Sequence, residues 1–220
     1  MKTYDNYYNA ECDLIDRILF QPDFTTDVTQ ERIGDGFILT DPSRNTNSRS
    51  NYTYAHHFFE WLMSGEKELS PELLKDNPWV KRFVDTSNLP ESFSASYGWK
   101  IKEQLRSVME ELHIHKYSRR AYLNILIPQD HVIRETKTTH EYPCTIGMQF
   151  FVRNDSLLMI VNMRSNNVYS VMPYDVYNFT ELQQYVAKKL HLNLGYYYHQ
   201  INNAHLYKGD IRRILNQKES

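Results

Sequence analysis

The chain has 220 residues, 41% hydrophobic and 24% charged, with 17 Tyr and 10 Phe against only 7 Gly and 8 Pro. That is enough apolar material for a real core and too little Gly and Pro for collagen-like, linker-like or disordered chains. A net charge of −2 offers no footprint for a long polyanion, and two cysteines, Cys12 and Cys144, build neither a disulfide framework nor a zinc site.

No apolar run approaches the roughly 18 residues of a membrane helix, and the first residues lack a signal-peptide stretch. The expectation is therefore one soluble domain, residues 1–220, in a reducing compartment such as the cytoplasm. From Tyr7 to Phe20 apolar residues recur at helical spacing through Leu14, Ile15, Ile18 and Leu19, until Pro22 interrupts. The Asn- and Ser-rich stretch from Thr40 to Thr53 reads as a mobile loop. Tyr54 to Ser64 is predicted helical and closed by Gly65, and Ser70-Pro71-Glu72 carries a helix-start pattern. Tyr97 to His113 reads as an amphipathic helix with Ile101, Leu105, Val108, Met109 and Leu112 along one side.

Strand signals dominate the second half. Ala121 to Ile127 is a short uncharged apolar run. Thr145–Val152 and Leu157–Met163 are strand-like runs separated by Arg153-Asn154-Asp155-Ser156, a hairpin signal. Phe179 to Leu190 reads as a helix and Gly195 to Ile201 as a strand. Helices first and strands later predict an α+β fold rather than a regular βαβ alternation.

Cys144 follows Pro143 where a strand begins, so it can be exposed and fixed in place; an inert structural thiol is the ordinary alternative. Its context is more telling than the residue. Arg32-Ile33-Gly34-Asp35-Gly36, Glu60-Trp61, Tyr97-Gly98-Trp99, Arg119-Arg120, Pro143-Cys144, Arg164-Ser165-Asn166 and His205-Leu206-Tyr207 follow one another in this order. Taken together they resemble the thymidylate synthase superfamily, from about Arg32 to Tyr207. Tyr97-Gly98-Trp99, Cys144-Thr145, Met163-Arg164-Ser165-Asn166 and the Glu60-Trp61 pair are more similar to the phage-type deoxycytidylate hydroxymethylases within it.

The resemblance implies a single α+β domain with a mixed sheet covered by helices, one sheet face serving dimerisation. It implies C5 alkylation of a pyrimidine nucleotide, a modified-DNA-precursor activity of the kind bacteriophages encode in the host cytoplasm. Cys144 would add to C6 and make C5 nucleophilic, with methylenetetrahydrofolate supplying the carbon and no metal taking part. Glu60 would manage protons through water, and Tyr97 would assist proton removal at C5. Arg164 and Ser165 would hold the 5′-phosphate with Arg32 closing over it, and Arg119 and Arg120 would reach the partner's site in a homodimer. His205 and Tyr207, alternating on an extended segment, would bind the sugar.

By the resemblance, Asp175, with Asn167, would fall on the base-binding side. A carboxylate accepts from the cytosine amino group, whereas against uracil O4 it would oppose two acceptors at a cost of about 1–3 kcal/mol. Aspartate thus favours dCMP and a hydroxymethyl product; methylation of dUMP and a nucleotide-binding dimer without catalysis are the alternatives. Each side chain also has an ordinary reading: Asp175 as a surface helix cap, Glu60 as solvation, the arginine pair as a solvated pair, His205 as structural. On the folate side the chain departs from the family: Asn167 replaces an aspartate, Ser170-Val171 stands in place of glycine, and only Lys208 to Ser220 follow Tyr207. Membrane and long nucleic-acid partners are not expected.

Overall fold

The computed structural model describes residues 1–83, 96–131 and 142–218, which divide into two compact units, residues 1–50 with 153–220 and residues 51–152. The expected α+β class holds.

In the first unit the strands are β1 (Lys2–Tyr4), β2 (Phe24–Thr25), β3 (Thr29–Leu39), β6 (Ser156–Met163), β7 (Asn166–Asn167) and β8 (Asn193–Tyr207). β3 is central: β1 lies parallel to it, β2 antiparallel, and β8 runs antiparallel from Thr29↔Tyr207 to Leu39↔Tyr197. β6 and β7 are parallel to β8. The sheet is mixed, and β6 reaches β8 through a crossover helix, one βαβ unit inside an otherwise irregular order.

Helix α1 (Tyr7–Phe20) has the predicted bounds, with the Asn6 side chain accepting from the Asn9 amide. It buries Tyr7, Leu14 and Ile18, which share the core with Phe37 and Leu39 of β3. Two further differences from expectation have clear causes. β3 runs through Ile33-Gly34-Asp35-Gly36, which reads as a turn in the sequence. Gly34 sits at φ 67°, a left-handed backbone that favours glycine, and a Cβ on Gly36 would lie 2.0 Å from the His199 carbonyl oxygen, so Gly36 serves a tight strand pair. The stretch from Thr40 onward is pinned rather than loose: Asn45 is buried and donates to Thr180 and Glu181, while Asn47 and Arg49 bond the buried Glu11 carboxylate.

The crossover helix, Met172–Lys189, begins seven residues before the predicted start, with Pro173 in its first turn. It buries Val176, Phe179, Leu182 and Val186 against the sheet residues Leu157, Met159, Val161, Tyr197 and Ile201. One register slip interrupts the β6–β8 ladder between Leu157 and Met159. Gln183, buried on the helix, donates to the Leu157 and Gly195 carbonyls there, supplying bonds that the slipped ladder would leave unmade.

The second unit contains α2 (Tyr52–Ser64), α3 (Pro71–Asp76), a 3₁₀ turn (Pro78–Phe83), α4 (Gly98–Ile114), β4 (Tyr122–Asn124) and β5 (Thr145–Arg153). The expected signals act as read: Gly65 closes α2 in the left-handed region at φ 72°, and the Ser70 hydroxyl caps α3. β4 pairs antiparallel with β5, in register Tyr122↔Gln149 to Asn124↔Gly147. Ile101, Leu105, Val108 and Leu112 of α4 are buried, as are Leu123, Met148 and Phe150. Lys100, 1% exposed, donates to both Asp130 oxygens at 2.7 and 2.8 Å and to the Ile125 carbonyl. The β5–β6 connection has Asn154 and Asp155 at φ 49° and 57°, the paired left-handed conformation of a two-residue hairpin turn. The remaining helices are numbered α5 (Met172–Lys189) and α6 (Lys208–Lys218). Among the described residues no helix is long and apolar enough to cross a membrane.

Candidate active site

In the second unit the backbone brings Tyr97 to Cys144. Gly98 opens α4 where any side chain would meet the Leu62 carbonyl oxygen at 2.6 Å, so α4 starts hard against the last turns of α2 and Tyr97 is set at its mouth. The Tyr97 hydroxyl accepts from the Cys144 amide at 3.1 Å and the Thr145 amide at 3.3 Å. Cys144, partly exposed, is thereby held at the start of β5 by a side chain from another element. Glu60 stands elsewhere on α2: its carboxylate is 62% exposed, lies 3.5 Å from His56, and lines a cavity of about 580 Å³ with Glu66, Glu68 and Glu72. Arg119 and Arg120 are exposed just before β4, with the Arg119 carbonyl accepting from Gln149.

In the first unit the end of β8 gathers the polar residues. β6 leaves the ladder after Met163 and β7 rejoins it at Asn166↔Ala204, so Arg164 and Ser165 form a short detour beside β8. Ser165 Oγ lies 3.4 Å from His205 Nδ1, and the Arg164 charge helps push the His205 ring below its usual pKa, chiefly a result of burial. Asn203 Nδ2 donates to Glu31 at 2.8 Å, which leaves its oxygen to accept from His205 Nδ1 at 3.2 Å. In the neutral ring, Nε2 is then an acceptor, suited to a hydroxyl donor. Tyr207 lies on the same side of the strand, its ring 5.1 Å from that of His205, but 48% exposed where His205 is 8%. Arg32 pairs with Asp35 at 2.6 Å and donates to the Gln21 carbonyl; Asp35 also pairs with Arg17.

Asp175 occupies the first turn of α5. It keeps some solvent contact, yet the protein around it pushes its carboxyl up to about 7 by desolvation, against the opposing pull of the Asn166 amide. Asn166 Nδ2 donates to Asp175 Oδ2 at 2.7 Å, and Asn166 Oδ1 meets His199 Nε2 at 2.9 Å. Sequence reasoning placed Asn167 on this side; the contact to Asp175 comes from Asn166. The Asn167 side chain instead accepts from the Tyr169 and Ser170 amides and donates to the buried Asp210 at 3.3 Å, while Ser170 donates to Asp210 at 3.0 Å. His199, Tyr197, Glu31 and Asp210 were not legible as neighbours of these residues, and Asn166 was visible only as the end of the Arg164-Ser165-Asn166 motif. A further sequence trace is the alternation of Tyr197 and His199 with the segment that carries His205.

The family model described as thymidylate synthase matches residues 53–219. The chain belongs to the thymidylate synthase family. The thymidylate synthase of Mycoplasma genitalium is 27% identical over 139 residues, 63% of this chain and 46% of that protein, so the chain matches under half the length of this relative. Thermostable thymidylate synthase A from Bacillus subtilis superposes with a TM-score of 0.79 at 18% identity, covering 98% of this chain and 84% of that one. The thymidylate synthase of phage T4 gives 0.73 at 20% identity, with coverage of 92% and 77%. These likenesses establish the thymidylate synthase-like fold for the chain as described.

Proposed function

We propose that this thymidylate synthase-family chain is a C5 one-carbon transferase acting on a pyrimidine nucleoside monophosphate, and that it converts dCMP to 5-hydroxymethyl-dCMP. The observation that carries the reading is the Asp175 carboxyl: half-buried, held near neutrality in pKa, and bonded through one oxygen to Asn166. Ionised, it accepts from the cytosine amino group. Protonated, it can give its proton to cytosine N3, whereas the ionised form set against uracil O4 would oppose acceptor to acceptor.

In this reading the Cys144 thiolate adds to C6, and the electron pair released to C5 attacks the one-carbon unit. Loss of the C5 proton and of the carrier leaves an exocyclic methylene. Water adds to it as the thiolate departs, giving the hydroxymethyl group. Tyr97, whose hydroxyl accepts from the Cys144 amide, fixes the nucleophile's backbone and would relay the C5 proton. Glu60, on its exposed helix face, would act on protons through water rather than by direct contact. Arg164 and Ser165 would take the phosphate, and His205 with Tyr207 the sugar; the acceptor Nε2 of His205 fits a hydroxyl. For Arg32 to join them it must leave Asp35. Exposure of Arg119 and Arg120 suits a role in a second copy's phosphate site, hence a homodimer.

Methylenetetrahydrofolate enters as second substrate. Asn167, Ser170 and Asp210, on the side where the resemblance puts it, bond one another, so a folate using either Asn167 or Asp210 must break that contact. Methylation of dUMP is the second reading, favoured by the names of the relatives and opposed by Asp175. Mass spectrometry of nucleotide incubated with the protein and methylenetetrahydrofolate separates them: gain of CH2O on dCMP supports hydroxymethylation, and gain of CH2 on dUMP refutes it. Nucleotide binding without any product would leave a binding protein in place of an enzyme.

A further inference from the structure

Behind Asp175 lies a buried line of polar groups that the chemistry above does not use. Tyr197, His199 and Asn166 are 0%, 0% and 1% exposed. The Tyr197 hydroxyl is 2.7 Å from His199 Nδ1, His199 Nε2 is 2.9 Å from Asn166 Oδ1, and Asn166 Nδ2 is 2.7 Å from Asp175 Oδ2. We infer that Tyr197 and His199 are positioning residues for base recognition: through Asn166 they commit one Asp175 oxygen to accepting from the protein and leave the other for the base. The inference rests on the reading of Asp175 as the base-binding group.

The direction of the line follows from chemistry. The Asn166 amide must present N–H to the carboxyl, because its oxygen there would oppose acceptor to acceptor. Its oxygen then faces His199, so Nε2 carries the ring proton. Burial drives the His199 pKa down to about 3, so the ring is neutral and Nδ1 is bare. Tyr197, whose own ionisation is pushed upward by burial and by Asp175, donates to it. Every hydrogen points toward Asp175, and each bond polarises the next. Within this unit the titratable side chains acting on Asp175 are Tyr197 directly and His199 through Asn166, and both stay neutral across the ordinary pH range.

Stability alone does not call for this arrangement. A buried polar chain is matched or bettered by well-packed apolar residues of the same shape. The His199 ring already stacks on Phe37, centroids 5.2 Å apart at 24°, a contact that phenylalanine would keep. The ring's two nitrogens both bond, so the side chain acts on what they reach.

The test uses His199→Phe, which keeps the ring and removes both bonds, and His199→Gln, which can still accept from Tyr197 and donate to Asn166. Carboxyl-carbon NMR of the unliganded protein follows the Asp175 titration, assigned by the signal lost in Asp175→Asn. Calorimetry gives the dCMP-to-dUMP affinity ratio. In His199→Phe the midpoint should move up by about half a pH unit to one unit as the donor loosens. The ratio should fall by about five- to tenfold, and His199→Gln should restore both. If His199→Phe does not fold, Tyr197→Phe carries the same expectation at smaller amplitude. A folded His199→Phe with wild-type midpoint and ratio overturns the inference. An Asp175→Asn variant with an unchanged ratio overturns the base-binding reading itself, whatever the midpoint does in the other variants.

Discussion

A carboxyl that titrates near 7 inside the fold instead of near 3.8 reshapes the stability curve of the whole unit. Between those two values the native state holds a proton that the unfolded chain has released. Stability therefore falls as pH rises through this window, is unpenalised below about 4, and levels off above about 7. The full displacement corresponds to roughly 4 kcal/mol. Asp175 keeps some contact with solvent, which screens the ionised form, so a cost of about 2 kcal/mol above neutrality is the working figure. Asp175→Asn keeps an oxygen for the Asn166 amide and removes the titration. The variant should match wild type near pH 4 and exceed it by about 2 kcal/mol at pH 8. It should also bind dUMP in preference to dCMP, so what is gained in stability is lost in base choice. Urea unfolding of both proteins at several pH values between 4.5 and 8.5 reads the difference directly. Parallel stability curves across that range would refute the argument, because they would mean that Asp175 ionises in the fold as it does in water.

Lys100→Met should cost about 3–5 kcal/mol by stranding the Asp130 carboxylate in the core, and adding Asp130→Leu should recover most of it; a denaturant double-mutant cycle without that recovery would contradict an ion pair held by mutual need. Gly36→Ala drives a methyl into the His199 carbonyl and should destabilise by about 3 kcal/mol or more, visible as a lowered melting temperature; a neutral result would place β3 and β8 further apart than described. Cys144→Ser should cut turnover by about a thousandfold or more while dCMP still binds in calorimetry, and an active serine variant would remove the thiolate from the chemistry.

Much of the framework was open to a reader of the sequence. α1, α4 and the strands on either side of Asn154-Asp155 declare themselves because one apolar face repeats at the right period, with the Asn6 cap bounding α1 and the Asn154-Asp155 turn bounding the strands. Where local preference and tertiary pairing disagree, the sequence misleads. The glycines of β3 look like a turn, yet Gly36 is there because β8 comes too close for a side chain, and Gly34 because its backbone is left-handed. The first turn of α5 lacks a side-chain cap, so its helical pattern becomes readable only at Phe179, and Asp175 falls outside it. The resemblance singled out Cys144, Arg164, Ser165, Asp175, His205 and Tyr207 as candidates. It gave no hint of His199 or Tyr197, nor of the contact that Asn166, itself inside the Arg-Ser-Asn motif, makes with Asp175; their meeting depends on β7 lying beside β8 and on the depth at which β8 runs.

The slip at Leu157, bridged by Gln183, determines the parity of β8. Two β8 residues, Gly195 and Tyr196, there stand against the single Leu158, and everything downstream is shifted by one position relative to an unbroken ladder. Because successive strand residues face opposite ways, that one extra residue decides that Tyr197, His199 and Ile201 turn inward together, and sets the side on which His205 emerges. Removing a residue from this stretch would do more than shorten a strand: it would turn the site's supporting side chains to the opposite face while leaving every one of them in the sequence. The chain can therefore tolerate many exchanges of side chain along β8 far better than a change in its length before Tyr197.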